Sequence, residues 1–145
     1  MSTIAVKKLK KNAILPTYGS AEAAGADLYA CIDEIVTIGP GETRFIPTGI
    51  ALEVPKGCAG LIYARSSLGA KRGLAPANKV GVIDSDYRGE INVVLHNHSK
   101  DQQQIAPGER IAQMLITPVL TPVYEEVAEL SDTDRGAGGF GSTGK

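Results

Sequence analysis

The chain has no tryptophan, only two cysteines, two histidines and two phenylalanines in 145 residues, and a formal net charge of −1 at neutral pH. Each shortage excludes something. Cys31 and Cys58 stand alone, with no CxxC pair and no His or Cys at metal-ligand spacing. They read as buried or idle thiols rather than as a disulfide framework or a zinc site. The charge balance argues against a general nucleic-acid or membrane binder, which carries a strong basic bias. An anionic ligand would have to be met by a local cluster. No hydrophobic run approaches a transmembrane span, and no apolar stretch of signal-peptide length follows the basic KKLKK at residues 7–11. A soluble protein of the cytoplasm, or of another reducing intracellular compartment, is the expectation.

What the sequence has in plenty is punctuation. Its 17 Gly and 8 Pro cut the chain into short apolar runs, the pattern of an all-β sandwich or barrel. Ten runs read as strands: 4–9, 34–38, 43–46, 50–54, 59–64, 79–83, 91–96, 103–105, 110–117 and 124–129. Ile91, Val93 and Leu95 alternate with Asn92, Val94 and His96, which gives that strand one apolar face. Pro40-Gly41 and Pro107-Gly108 mark turns. The one local helix runs from Ser67 to Arg72, with Ser66 or Ser67 as its cap and Gly73 as its stop. Ten strands in one domain of this size predict a double-sheet jelly roll. The folded domain spans residues 1–130. From Ser131 to Lys145 the composition turns to Gly, Ser, Thr and Asp, predicting a flexible arm.

Three stretches carry chemistry. In GVIDSDYRGEI, residues 81–91, Asp84 and Asp86 would share one face of an extended chain, with Tyr87 opposite unless a turn begins before it. Two like charges so placed suggest a cation or water between them, though a solvated hairpin rim accounts for them equally well. In ARSSLG, residues 64–69, Ser66 and Ser67 lie where a strand gives way to a helix. There, unpaired backbone N–H groups favour an anion, and Arg65 adds a planar fork for phosphate oxygens. A capped helix with an exposed Arg is the plainer account. RGAGGFGSTG, residues 135–144, lacks the order of a P-loop. It is either a linker or an arm that brings Arg135 to phosphate and stacks Phe140 on a base. Asp27, in AAGADLYA, fits a turn-forming Asp. His96 and His98 have no third ligand nearby in sequence and read as a strand-end pair.

Those segments, together with GERIAQM at residues 108–114, are similar in order and spacing to the five motifs of the trimeric dUTPase (deoxyuridine triphosphate nucleotidohydrolase) family. The resemblance covers Ala23 to Gly144. It implies a distorted jelly roll with one short helix. It also implies Mg²⁺-dependent hydrolysis of dUTP to dUMP and pyrophosphate, which limits uracil in DNA and supplies dUMP for dTMP synthesis. By the same resemblance, Asp84 is the general base and also bonds the deoxyribose 3′-hydroxyl. Tyr87 packs on the sugar and leaves no room for a 2′-hydroxyl. The strand Asn78–Ile83, with the Asn78 side chain and neighbouring backbone groups, Gly81 and Ile83 among them, reads uracil, and Arg65, Ser66, Ser67 and Gln113 hold the triphosphate. Arg135, Phe140, Gly141 and Ser142 close over the nucleotide. Mg²⁺ sits on phosphate oxygens and water, with no direct protein ligand and Asp27 in its second shell. Where Ala26 stands the family often has an aromatic or larger residue, a difference that touches local packing. The implied assembly is a homotrimer with sites shared between subunits and the last segment donated across, with neither nucleic acid nor membrane as a partner. Two rivals stay open. One is a dCTP deaminase, which shares the fold but has a Glu-bearing strand in place of IDSDYRGE. The other is a non-catalytic nucleotide-binding module, which has no need of Asp84.

Overall fold

The short apolar runs form twelve strands and one helix in the computed structural model, which describes residues 3–144. In chain order these are β1 (Val6–Lys8), β2 (Thr17–Tyr18), β3 (Ala26–Tyr29), β4 (Val36–Ile38), β5 (Thr43–Pro47), β6 (Ile50–Leu52), β7 (Cys58–Tyr63), α1 (Ser66–Arg72), β8 (Leu74–Pro76), β9 (Gly81–Ile83), β10 (Asn92–Asn97), β11 (Gln103–Ile105) and β12 (Arg110–Pro118). A five-stranded sheet, β2-β3-β12-β7-β9, and a three-stranded sheet, β5-β10-β8, carry most of the pairing, and β1-β6 and β11-β4 complete the jelly roll. The pairings are antiparallel throughout. The all-β expectation holds.

Alternation explains the core. Ile91, Val93 and Leu95 are buried, whereas Asn92, Val94 and His96 face outward. They meet Ile38, Ile46, Leu74, Ile105 and Ile111, all fully buried. Each such side chain contributes about 1.5–3 kcal/mol on leaving water. Asn97 ends β10 inside this core with its amide saturated. Nδ2 donates to the carbonyls of Ile38 (2.9 Å) and Asp101 (2.8 Å), and Oδ1 accepts from the Ser99 N–H (2.9 Å) and hydroxyl (2.7 Å). Gly49 links β5 to β6 at φ 68°, and a Cβ there would lie 2.6 Å from the Cys31 Sγ. Only glycine fits that corner. Both cysteines are free.

Several expected elements differ. Nine of the ten runs became strands, but residues 124–129 did not. Its sequence, YEEVAE, has no period of two, and the segment lies exposed with no strand beside it to pair with. The strands β2, β3 and β8 were not foreseen. In β3, Ala26, Asp27 and Leu28 are all buried, so the strand shows no period of two. The helix begins at Ser66 with Arg65 as its N-cap, at φ −80° and ψ 142°, and no side chain caps it. The serine cap is therefore corrected: both serines lie inside the first turn, and the cap residue has no acceptor to offer. Gly73 does stop the helix, at φ 66°, donating its N–H to the Leu68 carbonyl. Residues 119–137 are exposed without exception. Among the described residues, no helix is long and apolar enough to cross a membrane.

Candidate active site

The sheet β3-β12-β7 brings three of the motifs together. Gln113 on β12 lies in register with Asp27 of β3 on one side and Tyr63 of β7 on the other. Its Nε2 donates to the Ala64 carbonyl (2.9 Å), which fixes the point where β7 hands over to Arg65 and α1. A Cβ on Gly25 would lie 2.7 Å from the Gln113 Oε1, so the motif's glycine gives this side chain its room. Asp27 is no turn former. It is buried on β3, where its Oδ1 accepts from Arg65 Nε (2.9 Å) and its Oδ2 from Arg110 Nη1 (3.4 Å). A buried carboxylate needs such partners, because desolvation without them is costly. Arg65 Nη1 also reaches Ser67 Oγ (3.3 Å).

Beside this pair a cavity of about 370 Å³ is lined by Tyr29, Arg65, Ser67, Leu68, Arg72, Gly108, Glu109 and Arg110. Arg72 is engaged by Glu109, by the Gln104 carbonyl and by Gln103 Oε1. Three guanidiniums against Glu109 and the buried Asp27 leave the cluster net positive, a setting for an anion in a protein of almost neutral charge. Of the residues that the sequence assigned to phosphate, Arg65 and Ser67 line this cavity, and Ser66 and Gln113 do not. Arg110, Arg72 and Glu109, which the sequence did not single out, line it as well. The signal for Arg110 was a cation opening the apolar IAQM strand.

The second group of residues lies in a different cavity. Strand β9 is the edge of the five-stranded sheet, paired with β7 on one side (Gly60↔Ile83, Leu61↔Val82, Ile62↔Gly81) and open on the other. It follows a tight turn in which Lys79 takes φ 65° and the Val80 N–H reaches the Asn78 carbonyl (2.7 Å). Gly81 packs on Ile62, whose Cβ would be 3.2 Å from a Cβ at that position. The strand ends at Ile83, and the Tyr87 N–H bonds the Asp84 carbonyl (3.2 Å). The expectation that Asp84 and Asp86 share a strand face is thereby corrected, because a turn begins at Asp84. Tyr87 is held by its hydroxyl, which donates to the Glu90 carbonyl (2.9 Å), and its phenol lies where any Cβ on Gly89 would be. Asp84 and Tyr87, with Phe45, Val82, Ile83, Glu90, Asn92 and Val94, line a cavity of about 300 Å³.

Within one chain, then, Asp84 and Tyr87 do not share a cavity with Arg65 and Ser67. Among the described residues, the Arg135 side chain bonds the nearby Gly138 carbonyl alone (2.8 Å), and Phe140 lies fully exposed at φ 51°. Gly141 and Ser142 are exposed beside it. A further cavity, of about 680 Å³, has no charged lining and shares no lining residue with either of the other two; Val6, Leu52 and Ile116 are among its walls.

His96 and His98 meet edge to face, with ring centroids 4.5 Å apart, and His96 Nδ1 is 2.8 Å from the Thr43 hydroxyl. Loss of solvent around its ring, and then the charges of Lys79 and His96, hold His98 below the usual imidazole range. Among the described residues, no three His, Cys, Asp or Glu side chains gather as metal ligands.

Residues 11–144 match the family model described as dUTPase. A deoxyuridine 5′-triphosphate nucleotidohydrolase of Syntrophotalea carbinolica is 49% identical over 142 residues, 98% of this chain and 97% of that protein. A mutant dUTPase of Staphylococcus bacteriophage 80alpha, solved with dUpNHpp, superposes with a TM-score of 0.90 at 30% identity, covering all of both chains. A variant dUTPase of the S. aureus phage phi11, whose structure is described as showing coordination of a structural Mg(II) ion, gives 0.81 at 27% identity over 90% of this chain and 100% of that one.

Proposed function

The chain belongs to the dUTPase family, and from that premise we propose that it hydrolyses dUTP to dUMP and pyrophosphate with Mg²⁺, in sites assembled between three subunits. The observation that carries the reading is the open edge of β9 running into the Asp84–Tyr87 turn. An unpaired strand edge offers backbone donors and acceptors in fixed positions. With the Asn78 side chain and the backbone of Gly81 and Ile83, it can pair with the imide edge of uracil. Cytosine's amino group would then meet a donor in place of an acceptor, and a buried polar group left unpaired is a strong discriminator. Tyr87, pinned at its hydroxyl, closes on the sugar and excludes a 2′-hydroxyl. Asp84 takes a proton from the attacking water and bonds the 3′-hydroxyl.

The triphosphate belongs with Arg65, Ser66, Ser67 and Gln113. The donor set there fits a metal that arrives on the substrate. It is rich in guanidinium, and its two carboxylates, Asp27 and Glu109, are each bonded to arginine, leaving their oxygens only second acceptor sites for a metal-bound water. When bound, Mg²⁺ supplies charge neutralisation on the phosphate oxygens. Everything else falls to the protein, which positions the chain of phosphates and the water.

The separation of the two groups supports the assembly. Residues that must meet on one nucleotide line different cavities of one chain, which supports sites completed by a second subunit. Leu120, Val123 and Tyr124 are each 94% exposed, an apolar run that suits a neighbouring subunit better than water. In this reading, residues 1–130 form the catalytic body and residues 131–145 the arm that closes a neighbour's site. Light scattering should return about three times the 15.2 kDa chain mass. A monomer with full activity would remove the shared-site picture.

Selectivity tests the function. Steady-state rates with dUTP, UTP, dCTP and dTTP, with and without a Mg²⁺ chelator, should show turnover of dUTP far above the rest and its loss on chelation. Comparable UTP turnover would sink the reading, and ammonia released from dCTP would replace it with a deaminase.

A further inference from the structure

We propose that Arg110 is a positioning residue. By occupying Asp27 Oδ2 it limits Asp27 to a single bond with Arg65, so that the Arg65 Nη groups stay available for the substrate's phosphates. The inference rests on the triphosphate reading of this cluster. Its geometry is specific. Asp27 is buried, its side chain 12% exposed, and it meets two guanidiniums with one oxygen each. Arg65 offers Nε at 2.9 Å, and Arg110 offers Nη1 at 3.4 Å.

A carboxylate facing a single arginine prefers the two-bond fork, taking Nε and one Nη together. Were Oδ2 free, Asp27 would take that form with Arg65 and withdraw an Nη donor from the cavity beside it. With Oδ2 held, the Asp27 bond stops at Nε. That bond still fixes rotation at the base of the guanidinium, and it leaves the Nη pair to Ser67 Oγ at 3.3 Å and to an anion. Arg110, at the start of β12, and Arg65, the residue before α1, lie 45 positions apart in the chain, and both reach the same small carboxylate on β3. Arg110 is half-exposed and engages Asp27 through one nitrogen only, so the role asks for one donor and a positive charge rather than for a guanidinium fork.

The test is a set of variants read as kcat/KM for dUTP, with thermal melts alongside. Arg110→Met removes the donor and should lower kcat/KM about 10- to 100-fold, the scale of a misplaced binding group. Arg110→Lys supplies one donor and one charge and should recover most of that loss. In an Arg65→Ala background, Arg110→Met should add no further loss, because no Nη group is left to withdraw. Three results would overturn the proposal: Arg110→Met at the wild-type value, Arg110→Lys as impaired as Arg110→Met, or losses that multiply in the double variant. A multiplied loss would mean that Arg110 touches phosphate itself or serves the fold. Should Arg110→Met fail to fold, Arg110→Lys still decides between rescue and refutation. Wild-type turnover of dUTP is read in the same assay, so failure of the functional reading is seen separately.

Discussion

Asp84→Asn should bind dUTP about as well as the wild type and lose roughly 10²–10⁴-fold in kcat, the usual worth of a positioned general base. The substitution keeps shape and acceptor capacity at one oxygen and removes only the ability to take a proton. Nothing in the fold depends on the group removed. Asp84 opens a turn at the exposed end of β9, and the bond that shapes this turn, from the Tyr87 N–H at 3.2 Å, goes to the Asp84 backbone carbonyl. Melting temperature and oligomeric mass should therefore be unchanged, and titration calorimetry with a non-hydrolysable dUTP analogue should give a similar Kd. A variant turning over near the wild-type rate would move the base to Asp86, the other carboxylate of the same turn.

Deleting residues 135–145 should depress kcat by about 10²-fold or more while leaving the body intact, since a preorganised charge lost from the transition state is worth that much. The arm makes its hydrogen bonds locally. Gly136 N–H bonds the Thr133 carbonyl (3.1 Å), Gly138 that of Arg135 (3.1 Å), and Ser142 that of Gly139 (3.1 Å). A string of turns with Gly136, Phe140 and Gly141 at positive φ adds nothing to the core. In the proposed function the same segment, over a bound nucleotide, would bring Arg135 to phosphate and Phe140 to the base. Those contacts are worth roughly 1.5–3 and 1–3 kcal/mol, set against a few kcal/mol for ordering the segment. Ground-state affinity should thus fall only slightly, and the larger loss should appear in turnover, where water exclusion counts. A truncated enzyme with full kcat would contradict this. So would an arm cut by protease at the same rate with and without the nucleotide analogue.

How far the sequence alone carries differs from place to place, and the reasons are physical. Strand β10 was legible because one face meets the core and the other does not, so Ile91, Val93 and Leu95 write a period of two. Strand β3 was hidden because Ala26, Asp27 and Leu28 are buried together. A buried Asp in a strand makes sense only beside Arg65 and Arg110, which lie 38 and 83 positions away in the chain. No local pattern reports such pairs. The error at residues 124–129 runs the other way, for a short run with Tyr124, Val127 and Ala128 reads as a strand although no partner strand lies beside it in the same chain. Arg65, Ser67, Asp84 and Tyr87 were found from their motifs, but their division between two cavities is a property of the fold.

Phosphorus NMR of dUTP during turnover tests the central claim most directly, because it reads which bond the enzyme breaks. The account predicts that the triphosphate signals give way to pyrophosphate and dUMP in equal amounts, with no diphosphate nucleotide passing through. Orthophosphate appearing with dUDP would contradict it.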